Sequence, residues 1–130
     1  MVAIFARSTT DKLASLVKQL DELVEKDWEK KDADEEFIGL RGFVVLISID
    51  RDSAQEQLES MAHKQGIKSI PLAIYDAPDG GPHPYRIAKD ADVTVILHKG
   101  AVVNNHAFRE GMLNQMGITA VIRDAIRLSE

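Results

Sequence analysis

A chain of 130 residues, 45% of them hydrophobic and 28% charged, is sized for one domain with a core of its own and lacks the composition of a disordered segment. It contains no cysteine, which excludes disulfide staples, thiolate zinc sites and cysteine nucleophiles within this chain. The net charge of -5 with scattered Lys and Arg argues against a nucleic-acid partner, and no apolar run approaches the roughly 20 residues of a membrane span, so the composition predicts a soluble chain without a membrane partner.

Val2-Ala3-Ile4-Phe5-Ala6 is a short apolar run that predicts a buried strand. No basic leader precedes it; an upstream segment already removed would make this an exported protein, and the compartment is otherwise open. Ser8-Thr9-Thr10-Asp11 supplies turn and N-cap chemistry. Leu13, Leu16, Val17, Leu20, Leu23 and Val24 then recur at three- and four-residue spacing, which predicts an amphipathic helix from about Thr10 to Glu25. The mixed-charge stretch from Lys26 to Glu36 reads as a frayed helix end and solvated loop.

Phe43 to Ile49 is apolar almost throughout and predicts a central strand covered on both faces. Asp50-Arg51-Asp52-Ser53 caps a second helix over roughly Ser53 to Lys64, with Gly66 placed as its C-terminal glycine. Ile70 to Tyr75 reads as a short strand that Pro71 should open or confine to an edge. Asp76 to Pro84 is loop by composition, and Tyr85 to Lys89 suits one helical turn. Val93 to His98, a turn at Lys99-Gly100, and Ala101 to Val103 predict a hairpin. A last helix is expected over about Ile118 to Leu128, with Val121, Ile122, Ala125 and Ile126 inward. The whole chain, 1–130, reads as a single domain with a mixed sheet and helices over both faces.

Three segments carry a resemblance. Val2 to Lys12 stands where a first long strand meets a helix. Ile67 to Gly80, with Ile70-Pro71-Leu72-Ala73-Ile74-Tyr75-Asp76, is similar to a strand-and-loop of the form "fPll.D.dG". Asp92 to Val103 resembles a "tPttflid.dGkvv" hairpin. In this order the segments resemble the redoxin branch of the thioredoxin-like proteins, the peroxiredoxin-like and thiol-disulfide oxidoreductase-like domains. The resemblance implies a thioredoxin-like three-layer α/β/α sandwich with a mixed central sheet. It also implies a nucleophilic cysteine at the first helix N-terminus, where the dipole lowers its pKa, and a cis-proline facing it. Here Arg7-Ser8-Thr9-Thr10-Asp11-Lys12 occupies the first place and Val93 the second. A cis bond before a non-proline costs about 2.5–4 kcal/mol, so a trans bond is expected there.

The residues left at that face are hydroxyls and carboxylates. Ser8, Thr9, Thr10 and Asp11 at a helix N-terminus suit a small anion or a peptide, although plain helix capping is the simpler account of them. Asp92 and Val93, from the loop before the hairpin strand, are expected beside them, with Tyr85 as an aromatic wall. A serine nucleophile would need a histidine base, which no spacing supplies. His98 and His106 flank the hairpin without metal-site spacing, and the carboxylates Asp76, Asp79, Asp90 and Asp92 lack the offsets of a calcium loop, so no metal and no cofactor is expected. Gly80-Gly81 is not followed by a phosphate-loop lysine. Trp28 suits either a partner surface or the end of the core. The expectation is a non-catalytic module that binds a protein or peptide partner or serves a structural role. The alternative is the later part of an oxidoreductase whose CxxC lies upstream of residue 1.

Overall fold

The computed structural model describes residues 1–29, 40–48, 50–76, 91–99 and 101–129. The elements are β1 (Val2–Ala6), α1 (Asp11–Glu29), β2 (Gly42–Ser48), α2 (Arg51–Gln65), β3 (Leu72–Asp76), β4 (Ala91–Lys99), β5 (Ala101–Arg109) and α3 (Gln115–Ser129). They form a five-stranded sheet in the order β3-β2-β1-β4-β5. β1, β2 and β3 are mutually parallel, while β4 runs antiparallel to β1 and β5 antiparallel to β4, so the sheet is mixed.

The apolar run of β1 is buried at every position because it is the middle strand, with neighbours on both edges and side chains packed on both faces. β2 lies next to it, with Val44, Leu46 and Ile47 buried and Phe43 and Val45 partly so. Pro71 stands just before β3, an edge strand, and its carbonyl accepts the Val44 N–H at 3.0 Å. The missing donor of a proline is harmless there.

Alternation divides the sheet into two faces. Val2, Ile4, Ala6, Val44, Leu46, Val93, Val95 and Leu97 join one core cluster with apolar residues of all three helices. Ala3, Phe5, Ile47 and Ile96 form a second cluster, packed by Phe43, Val45 and Tyr75. Among the described residues the three helices therefore share one face, where the sequence reading expects helices over both. The physical reason is the sheet order. Two successive crossovers step in one direction, β1 to β2 to β3, and connections of a single hand put α1 and α2 on the same side. The expected helical turn at Tyr85 to Lys89 lies outside the described residues, as does most of the solvated loop expected over Lys26 to Glu36.

Three elements differ in extent from the sequence reading. α1 continues to Glu29, so residues 26–29 are helix. β5 runs on to Arg109, past Asn104, Asn105 and His106, because an edge strand tolerates polar residues: Asn105 is exposed, while Asn104 and His106 bond to Asp124 of α3. α3 begins at Gln115, where the Asn114 side chain accepts the Gly117 N–H at 3.0 Å. Its buried stripe is Ile118, Val121 and Ala125, flanked by Ile122 and Leu128, which leaves Ile126 42% exposed and off the apolar face. No described helix is long and apolar enough to cross a membrane.

Candidate functional site

The carboxyl ends of β1, β2 and β3, the start of β4 and the end of β5 lie at one end of the sheet, since Ala6 pairs with Val93 and Ala91 with Arg109. There the chain leaves β1 and enters α1 through Arg7 to Thr10. The Arg7 N–H extends the β1–β4 ladder to the Asp92 carbonyl at 2.8 Å, and Arg7 Nε donates to the Ala91 carbonyl at 3.1 Å. Next to this, Ser8 Oγ donates to the Asp92 carboxylate, 2.9 Å from Oδ1 and 3.0 Å from Oδ2. Two segments 84 residues apart are thus tied by backbone and side chain together.

Thr10 is the N-cap of α1: its Oγ1 accepts the Leu13 N–H at 3.1 Å and its carbonyl accepts the Ala14 N–H at 2.9 Å. The capping reading of Thr10 is therefore realised. Thr9 turns the other way and donates from Oγ1 to Gln57 Oε1 of α2 at 3.0 Å. A groove of about 380 Å³ runs between the start of α1 and α2, walled by Thr9, Thr10, Asp11, Gln57, Ser60 and Lys64. Hydroxyls, amides, carboxylates and a single ammonium line it beside the apolar Ala14 and Met61, so it can exchange hydrogen bonds and weak charge contacts. It holds no strong nucleophile. The partner of the Ser8 hydroxyl is a carboxylate, not an imidazole, so Ser8 lacks the base that serine chemistry requires.

Val93 corrects the sequence reading. Its side chain is 1% exposed and belongs to the core, because residues 93, 95 and 97 of β4 point toward the helices. It offers no side chain to a ligand. Tyr85, Asp79, Asp90 and His83 lie outside the described residues, as does the side chain of Trp28.

Sequence reasoning did not find the α2 wall of the groove, Gln57, Ser60 and Lys64, because the contact between α1 and α2 follows from strand order. It also missed two buried carboxylates of α1. Asp21 accepts the N–H groups of Ser69 at 2.7 Å and Ile70 at 3.0 Å, with Lys68 N–H at 3.3 Å, and Asp27 accepts that of Leu40. Both anchor the connections into β2 and β3. His106 Nε2 lies 2.7 Å from Asp124 Oδ2, an oxygen that also accepts from Asn104 Nδ2 at 2.7 Å, and its ring stacks on Phe108. This cluster fastens β5 to α3. Among the described residues no three His, Asp or Glu side chains gather as a metal site. A larger cavity, about 660 Å³, opens at the other end of the sheet between Val24, Leu40, Phe43 and Pro71, and contains none of the predicted residues. Comparison with protein-family models, with curated proteins and with solved structures gave no match.

Proposed function

We propose that this chain is a cysteine-less thioredoxin-like domain of the redoxin branch, working as a binding or structural module without thiol chemistry. The observation that carries the reading is the bond from Ser8 to Asp92, at the carboxyl end of β1. In the redoxin resemblance these two segments hold the reactive cysteine and the proline loop. Here the two segments are neighbours, with Ser8 to Asp11 at the place of the cysteine and Val93, preceded by Asp92, at that of the proline. The element order supports the same reading, with parallel crossovers first and a hairpin and terminal helix last. The three-layer form of the fold needs a cover over Ala3, Phe5, Ile47 and Ile96 as well as over the helical face.

The chemistry then follows from the inventory. The thiolate is the reacting species in disulfide exchange and peroxide reduction, and this chain has none. What remains is contact: the groove beside Thr9, Thr10 and Asp11, open to a short peptide or a small anion. Two measurements together test this. Insulin reduction and peroxide consumption are expected at the buffer blank. Titration with sodium phosphate, sodium acetate and a short unstructured peptide, followed by amide chemical shifts, is expected to move Ser8, Thr9, Thr10 and Asp92. Turnover above the blank, or shifts confined to the opposite end of the sheet, would refute the proposal.

A further inference from the structure

β3 is the last strand of the sheet on its side, so one row of its backbone groups has no ladder partner among the described residues. The register says which row. Val44 pairs with Leu72 and its N–H reaches the Pro71 carbonyl, so residues 71, 73 and 75 face β2. In a strand, successive residues turn their N–H and C=O to opposite edges. Leu72 and Ile74 therefore present theirs outward. The side chains of these same two residues pack toward the helical face.

On that face α2 runs alongside β3 and leaves a groove of about 470 Å³ between them. Leu58 and Ala62 of α2 and Leu72 and Ile74 of β3 give it an apolar floor, while Arg51 and Glu59 stand on its rim eight residues apart on α2. An eight-residue separation along a helix is roughly 12 Å. The edge without a partner among the described residues, the apolar floor and two opposite charges set along the groove lie side by side.

We propose that the α2–β3 groove is a docking site for an extended peptide segment of a partner protein, which adds to β3 as a sixth strand. Only an extended backbone supplies donors and acceptors at the repeat that Leu72 and Ile74 present, and alternate side chains of such a strand fall into the groove. The occupant carries apolar residues at alternate positions. It is acidic at the end beside Arg51 and basic at the end beside Glu59, and this charge pairing selects its direction. The surface is separate from the groove at Thr9 to Asp11 and does not depend on the redoxin reading.

The test uses two capped nonapeptides with interchanged charges, Val-Thr-Lys-Thr-Val-Thr-Glu-Thr-Val and Val-Thr-Glu-Thr-Val-Thr-Lys-Thr-Val, whose charged and apolar side chains share one face of the strand with the charges roughly 13 Å apart, titrated into the intact chain. One of the pair is expected to bind saturably and to protect the amides of Leu72 and Ile74 from hydrogen exchange, with Ala73 and Tyr75 little changed. The charge-reversed variant Arg51→Glu with Glu59→Arg alters two exposed positions only, and should swap the preference between the peptides by about tenfold. Ile74→Pro removes an outward donor while sparing the ladder to β2, and should abolish binding in a chain whose remaining amide spectrum is retained. No saturable shift at Leu72 and Ile74 with either peptide would overturn the proposal, as would a preference indifferent to the charge reversal. Self-association through β3 in the absence of peptide would also overturn it, by making a second copy the occupant.

Discussion

Thr94 is 3% exposed on β4, between Phe5 and Ala107 of its neighbouring strands, and its hydroxyl has no hydrogen-bond partner among the described residues. A buried orphan hydroxyl is a standing cost, whereas an isosteric methyl in its place is not. Thr94→Val should therefore raise stability by about 1 kcal/mol, read as a higher denaturant midpoint with an unchanged slope. Destabilisation would mean that the hydroxyl is satisfied. Asp21 is the opposite case, 3% exposed and accepting three consecutive backbone N–H groups of the connection into β3. Asp21→Ala strands those donors and should lower stability by about 3 kcal/mol. A loss near zero would show that water replaces the carboxylate. Neither role is legible in the sequence. Asp21 sits in a helix whose polar residues read as outward, and Thr94 looks like any β-branched strand residue.

At the level of elements, α2 shows what local chemistry can specify. Asp50 accepts the Ser53 N–H at 3.1 Å, and Gly66 closes the helix in the left-handed region at φ 66, as both residue types predict from sequence. Gly66→Ala should cost about 1 kcal/mol in thermal or chemical unfolding, since an L side chain is disfavoured at that φ although space is open around it. An unchanged midpoint would indicate that the turn re-forms with negative φ. Where the sequence reading stops short, the missing information is non-local. The polar run Asn104-Asn105-His106 carries no strand period of its own, and pairing with β4 makes it β5. Gly117 has the look of a connector, which places the expected start of α3 at Ile118. The first turn of α3 instead packs so closely on Phe108 that a Cβ at Gly117 would lie 2.8 Å from the ring. Hydrophobicity alone points Ile126 inward, while the stripe set by Ile118, Val121 and Ala125 passes beside it.

For the molecule as a whole, the five-strand order and the sharing of one face by three helices decide which parts of the candidate site meet. The approach of Ser8 to Asp92 is expected only from the order of the elements and the crevice at the carboxyl ends of the strands, because no local signal links residues 84 positions apart. The inclusion of Val93 fails on strand alternation, and the α2 wall of the groove is out of reach until the crossover direction is known. The claim on which the functional reading rests is that the start of α1 and the start of β4 are held together by the Ser8 hydroxyl and the Asp92 carboxylate. A double-mutant cycle on Ser8→Ala and Asp92→Ala, measured by equilibrium unfolding, tests it most directly. The bond predicts a coupling of about 1 kcal/mol or more between the two substitutions. Additivity to within about 0.3 kcal/mol would contradict it.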